Sequence, residues 1–341
     1  MGMSASIILI ISVLASFLVT LFALPYWIKK AGQIGLMWDD MNKFIPRKVA
    51  GSGGIMVVLG FVMGVLIFVA YEVFYLKVSN SFLIEIFAML VSVIFLAGIG
   101  LVDDLFGWQR GGLSIKSRLF LVLMAAVPLV VINAGKSVVS LPFFGQIELG
   151  IVYPLILIPI GIVGATTTFN FLAGFNGLEA GQGMIILSAL SIVAFFTGSP
   201  WISIAALCMV FALAAFMIFN FFPARVFPGD VLTYSVGGLI AIISVVGNFE
   251  RIAFFFFLPY IIEMFLKLRG GLKKQSFGLP KRDGSLGLKY DKLYGLEHIA
   301  IFFMQKLSIK PTEKRVVYLI WTAQIILIIL GLLIFREGIF V

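Results

Sequence analysis

The chain has 341 residues, of which 61% are hydrophobic and 12% charged, with a mean hydropathy of +1.14 and a net charge of +9. A soluble domain carries about 25% charged residues, so this composition excludes one and points to a polytopic membrane protein, counted in spans. The single cysteine, Cys208, excludes an internal disulfide and a Cys-based metal site, and the basic excess reads as a topology signal in place of a nucleic-acid surface.

The N-terminus comes first. Met1 to Ser6 carry no basic residue and the apolar run that follows reaches Trp27, so the first span is expected to be retained. A span needs about 20 apolar residues. On that measure ten are predicted, at roughly 7–27, 51–71, 82–102, 119–133, 147–165, 181–197, 201–221, 232–247, 251–268 and 316–335. The fourth and eighth are short, and Pro154 with Pro159 is expected to kink the fifth. The fold class is therefore all-α, a single membrane domain over 1–341.

Charge orients these spans. All but four of the 25 Lys and Arg fall in the connections after spans one, three, five, seven and nine or, for Lys267, in the last turn of the ninth; the exceptions are Lys77, Lys136, Arg251 and Arg336. Positive residues gather on the cytoplasmic side, so both termini are expected outside. The cytoplasmic loops are then about 28–50, 103–118, 166–180, 222–231 and 269–315.

The same loops hold the polar chemistry. Asp103 and Asp104 follow the third span; Lys116 and Arg118 precede the fourth. The stretch N-F-L-A-G-F-N-G-L-E-A-G-Q-G at 170–183 puts Asn170, Asn176 and Glu179 between two apolar runs, where polar groups are costly unless they bind something. Asp230 ends V-F-P-G-D, and the basic loop at 269–315 contains Lys273, Lys274, Lys281, Arg282 and the only histidine, His298. Carboxylate and amide oxygens suit magnesium or manganese, and Lys and Arg suit phosphate oxygens. Together they are what phosphoryl transfer requires. Each piece alone has a simpler reading: a solvated helix end, a turn, a helix cap, an anionic-lipid patch, an interfacial histidine. Their coincidence on one predicted face argues for a site.

Three motifs carry a resemblance: G-L-V-D-D at 100–104, N-F-L-A-G-F-N-G-L-E-A-G-Q at 170–182, and V-F-P-G-D at 226–230. The chain resembles the polyprenyl-phosphate N-acetylhexosamine-1-phosphate transferase superfamily, and within it the dolichol branch that tunicamycin inhibits. The resemblance implies that Asn170 and Asp230 ligate Mg2+ (or Mn2+), that Lys116 binds phosphate, and that Asp103 and Asp104 lie near the acceptor phosphate. It also implies a uracil slot between Gly174 and Phe227, with Asn176 contacting the base. Glu179, Lys281 and Arg282 are carried as further substrate-binding candidates. The chain departs from the family in having only His298 where other branches carry a His-rich cluster. It has Arg47 where eukaryotic members carry Glu, and Thr167 where they carry Asn.

The implied reaction transfers N-acetylglucosamine-1-phosphate from UDP-N-acetylglucosamine to dolichyl (polyprenyl) phosphate and releases UMP. This is the first membrane step of lipid-linked oligosaccharide assembly for N-glycosylation, at the cell membrane or, in a eukaryote, the endoplasmic reticulum. A phosphate monoester, with a second pKa of about 6, is already largely ionised near neutrality, so Asp103 is expected either to position the acceptor or to take its proton. The partners are these two substrates and membrane lipid, with no nucleic acid; a homodimer is allowed. Two alternatives stand: a related transferase using another UDP-sugar or undecaprenyl phosphate, and a transporter. The second is disfavoured because Asp103, Asp104, Asp230 and Glu179 sit at span ends, with Glu85 and Glu263 inside predicted spans and Glu148 at the edge of one.

Overall fold

The computed structural model describes residues 3–45, 47–77, 82–141 and 145–340; Pro46 of the first-loop motif lies outside them. In chain order the helices are α1 (Met3–Ile34), α2 (Gly54–Phe74), α3 (Phe82–Arg110), α4 (Ile115–Ala125), α5 (Val127–Val131), α6 (Ile158–Phe171) and α7 (Leu178–Phe196). There follow α8 (Pro200–Asn220), α9 (Gly229–Val246), α10 (Glu250–Phe256), α11 (Leu258–Arg269), α12 (Leu296–Lys306), α13 (Glu313–Ile334) and α14 (Arg336–Ile339). The strands β1 (Met37–Asp39), β2 (Lys48–Ala50), β3 (Val138–Leu141), β4 (Gly145–Glu148), β5 (Leu279–Pro280) and β6 (Leu286–Gly287) form three short antiparallel ribbons in connections.

Among the described residues, eight helical segments are long and apolar enough to cross a membrane. This is an all-α, multi-pass membrane protein. The remaining two expected spans are present as consecutive short helices, α4 with α5 and α10 with α11. The breaks fall just before Pro128 and Pro259, because proline lacks the N–H that would continue the ladder and its ring clashes with the preceding turn. The expected kink in the fifth span is a π-helical turn, Tyr153–Leu157, containing Pro154.

Helix α9 sits at the centre. Every residue from Val231 to Val246 is buried, and α2, α3, α6 and α7 pack around it. Small residues allow the approach: a side chain at Gly237 would strike Ala165, Thr166 and Phe169 of α6, and one at Gly100 the backbone of Asp230 and Val231. In α2, Gly60 and Gly64 lie against Ser12, Ser16 and Thr20 of α1, a small-residue seam of the kind that joins helices where no hydrophobic force separates protein from lipid.

The connections are tied to one another. Ala50, at the end of β2, bridges Val226, and the Phe227 N–H donates to the Ala50 carbonyl at 2.7 Å. The N–H groups of Gly53 and Gly54 donate to the carbonyls of Phe227 and Pro228, each at 2.9 Å. The loop before α2 thereby fixes the loop that starts α9.

Candidate active site

Three carboxylates meet where α3 ends and α9 begins. Asp103 and Asp104 are both buried on the last turns of α3. Asp103 pairs with Arg118 of α4 (Nε to Oδ2, 2.8 Å), accepts from the Leu113 N–H at 2.7 Å, and accepts from the Tyr234 hydroxyl at 3.2 Å. One oxygen of Asp104 accepts from the Asp230 N–H at 2.8 Å, capping the N-terminus of α9, where negative charge is favoured. Its other oxygen is buried and makes no well-formed hydrogen bond among the described residues, although the Ser52 hydroxyl lies beside it. Gly229 makes this packing possible: its φ of +71° starts the helix, and a side chain there would collide with the Asp104 carboxylate.

Arg118 is the only cation bound to these carboxylates among the described residues, and it pairs with Asp103 alone. A buried carboxylate oxygen without a partner is costly unless something unseen satisfies it. The donor set is all oxygen, which fits a hard divalent cation. Among the described residues no three His, Cys, Asp or Glu side chains converge into a complete metal shell. Mg2+ does not require one, since it is commonly held by one or two carboxylates with substrate phosphates and water. Asn170 is half-buried at the C-terminal end of α6. Its helix packs on α9 through Ala165–Phe169 against Gly237 and Gly238, so Asn170 and Asp230 emerge at the same end of the bundle.

Lys116 is exposed in the first turn of α4, and the group that faces Asp103 is Arg118, two residues later. A short N-terminal cap explains the choice of face: the Ser114 hydroxyl accepts from the Ser117 N–H at 3.1 Å, which starts the helix with Arg118 turned inward.

The 170–183 stretch forms a second wall. Gly174, at φ +111°, donates its N–H to Glu179 Oε1 at 2.8 Å and accepts from Asn42 Nδ2 at 2.8 Å. Asn42 Oδ1 in turn accepts from the Gly278 N–H at 3.1 Å, so one side chain joins three loops. Asn176 donates its N–H to Glu313 Oε1 at 2.9 Å and its side-chain amide to Asp40 at 3.2 Å. Lys43 pairs with Asp40 at 3.1 Å and also with Glu313. Glu179 thus holds the loop from inside, and its second oxygen is buried without a partner.

The aromatic ring in direct contact with Gly174 is that of Phe277. The atoms nearest a side chain at Gly174 all belong to Phe277, in the connection between α11 and α12. Phe227 is half-buried, its backbone held by Ala50 and Gly53. Phe277 is itself held from behind. Its carbonyl lies 3.3 Å from His298 Nε2, while His298 Nδ1 accepts from the Tyr294 N–H at 3.3 Å, which fixes a neutral ring protonated on Nε2. Burial pushes the His298 pKa down, in keeping with that form. The preceding residue, Ser276, accepts from buried Lys267 and donates to the Phe171 carbonyl at 3.4 Å, next to Asn170. His298 is therefore a buried structural residue and not an interfacial one.

Lys281 and Arg282 lie on the exposed turn between β5 and β6, with the Arg282 guanidinium 5.8 Å from the Phe44 ring. Lys274 instead rests on Tyr290 at 5.0 Å. Residues the sequence did not single out are Tyr234, Asn42, Asp40, Glu313 and Phe277. Only Tyr234 had a signal, its spacing of four from Asp230 on one helix; the others are joined to the site by tertiary contact alone.

Comparison with known proteins agrees with this architecture. The profile of Glycosyl transferase family 4 matches residues 86–248, from α3 to the end of α9. The chain is 33% identical over 328 residues, covering 95% of it and 96% of the relative, to a protein of Saccharolobus solfataricus. That protein is named, provisionally, a UDP-N-acetylglucosamine–dolichyl-phosphate N-acetylglucosaminephosphotransferase. A protein of Dictyostelium discoideum carrying that name without reservation is 28% identical, over 72% of this chain and 68% of its own. A Bacillus subtilis relative, named provisionally an undecaprenyl-phosphate N-acetylglucosaminyl 1-phosphate transferase, is 27% identical over 80% of this chain and 75% of its own. With its three motifs gathered at one end of the helical bundle and 95% of its length aligned to such relatives, the chain belongs to Glycosyl transferase family 4, the polyprenyl-phosphate N-acetylhexosamine-1-phosphate transferases.

Proposed function

We propose that this protein transfers N-acetylglucosamine-1-phosphate from UDP-N-acetylglucosamine to dolichyl or a related polyprenyl phosphate, releasing UMP. The observation that carries the reading is the cluster of buried Asp103 and Asp104 with half-buried Asp230 and a single arginine, at the junction of α3, α4 and α9. The positive-inside asymmetry supports an active site facing the cytoplasm, with both termini outside.

In the reaction an oxygen of the acceptor phosphate bonds to the β-phosphorus of the donor, and the bond from that phosphorus to the UMP oxygen breaks. Asp230 and Asn170 would hold Mg2+, with the unpartnered oxygen of Asp104 nearby; the ion would offset charge on the diphosphate. Asp103, locked by Arg118 and Tyr234, cannot swing freely, which suits a positioning role for the acceptor phosphate. Lys116, exposed beside the cluster, is free to reach phosphate oxygens as a mobile point charge. Gly174 and Asn176 are proposed to face the nucleotide. The aromatic wall is proposed as Phe277, which touches Gly174, with Phe227 the candidate that the family resemblance implies. Lys281 and Arg282, at the tip of a short ribbon, would supply further positive charge to the donor.

The test is UMP release by the purified protein with UDP-N-acetylglucosamine and a polyprenyl phosphate. Activity should disappear with chelator and return with Mg2+ or Mn2+. The Bacillus subtilis relative favours one second reading, an undecaprenyl acceptor. Assays crossing UDP-N-acetylglucosamine and UDP-N-acetylgalactosamine with dolichyl and undecaprenyl phosphates separate the two. No UMP release with any combination would refute the transferase reading.

A further inference from the structure

At the loop end of α8 lies a cleft of about 630 Å³ whose lining includes none of the three carboxylates. Its floor is the last turns of α8, with Ala214, Met217 and Ile218, and its far wall is Phe221, Phe222 and Pro223. Ile218 is 54% exposed and Phe211, two turns earlier on the same face, 41%. On a spanning helix such a stripe faces hydrocarbon. The cleft is therefore continuous with a lipid-facing strip running into the bilayer.

Its rim is cationic. Arg47 and Arg225 line it, and Lys314 lies 5.0 Å from the Phe222 ring. All three are exposed, and none forms an ion pair among the described residues. Lys43, 4.3 Å from the same ring, differs in being neutralised by Asp40 and Glu313. Unpaired basic residues at the end of an apolar strip match an amphiphile with an anionic head and a hydrocarbon tail.

We propose that this cleft binds an anionic phospholipid of the surrounding bilayer, its phosphate between Arg47 and Arg225 and one chain along Ile218, Ala214 and Phe211. A free phosphate or nucleotide would leave the apolar floor unused. The lipid acceptor is excluded on position: its phosphate must reach the cluster between α3 and α9, whereas the cleft lies on α8, which packs mainly on α1, α2 and α7. The site also bears on the active site. Arg225 precedes Val226, whose bridge to Ala50 anchors the segment leading to Asp230. An occupied cleft would steady that segment.

The experiment is native mass spectrometry of the full-length purified protein, titrated with phosphatidylglycerol or phosphatidylcholine of equal chain length. One phosphatidylglycerol should be retained in preference. A basic residue near a membrane surface contributes about fivefold to anionic-lipid binding, so Arg47→Gln with Arg225→Gln should reduce that preference by roughly thirtyfold. Arg225 also donates to the Ile218 carbonyl at 3.4 Å. If the double variant fails to fold, Arg47→Gln alone, whose side chain makes no hydrogen bond among the described residues, should lose about fivefold. Unchanged preference in the folded variant overturns the site. Equal binding of a six-carbon-chain phosphatidylglycerol would overturn the amphiphile fit. One-for-one displacement by polyprenyl phosphate would reassign the cleft to the acceptor.

Discussion

Asp103 and Arg118 form the ion pair of the cluster, at 2.8 Å with the carboxylate buried and the arginine partly exposed. Removing the arginine leaves a buried carboxylate unpaired, so Arg118→Gln is expected to lower both turnover and the unfolding midpoint. Lys116→Gln, on an exposed side chain, should lower turnover alone; a Lys116→Gln enzyme with unaltered UMP release would remove that residue from phosphate binding. Asp230→Asn removes a charged ligand candidate and should abolish most turnover with the fold intact, checked by UMP release beside thermal unfolding. The Gly174 wall gives a sharper comparison. Loss of an aromatic stacked on a base costs about 1–3 kcal/mol, so Phe277→Ala should weaken UMP inhibition about tenfold, with Phe227→Ala the smaller effect. The reverse order would return the slot to Phe227. Neither Phe277 nor Asn42 could be found from sequence, since each lies more than 100 residues from Gly174 along the chain and shares no periodicity with it.

At the scale of elements, the α1–α2 seam depends on glycine. Gly64→Val would press on Ser16 and the Ser12 carbonyl, and overpacking of this kind costs about 1–3 kcal/mol. The unfolding midpoint in detergent should fall accordingly, while an unchanged midpoint would mean that the helices can separate without loss. Helix α12 carries a different burden. Glu297 is fully buried, both its oxygens lack partners, and it faces Glu263 and Lys267 of α11, with Glu179 of α7 contributing further negative charge. Burial and then repulsion by Glu263 push its pKa well above the ordinary glutamate value. A raised carboxylate pKa means folding is favoured at low pH, and that contribution declines as pH rises from the ordinary value through the folded one. Glu297→Gln should therefore stabilise the protein more at pH 8 than at pH 5. An equal gain at both values would show that Lys267 already compensates the charge. The breaks before Pro128 and Pro259 belong to this scale too: proline placed them in the sequence, and hydropathy alone, blind to backbone donors, counted each pair as one span.

Across the whole molecule, the placement of charge makes one strong expectation. With both termini outside, Lys77→Cys should react with a membrane-impermeant maleimide from outside intact cells and Lys273→Cys should not. Native Cys208 is buried and stays silent. The reverse pattern would invert the topology and put the carboxylate cluster on the outer face. The helical class, the multi-pass architecture and the family were legible from sequence. Hydropathy, the sign of loop charges and short motifs are local properties that survive without knowledge of packing. Asp103, Asp104 and Asp230 were readable for the same reason, each lying within a motif. Tertiary structure alone decided which groups they meet. It turned Arg118 and not Lys116 toward Asp103, set Phe277 on Gly174, and used Asn42, Asp40 and Glu313 to tie distant loops together. Such contacts follow from how helices approach across a glycine and from which buried donor finds which acceptor. Those pairings are satisfied in three dimensions, and no spacing along the chain encodes them.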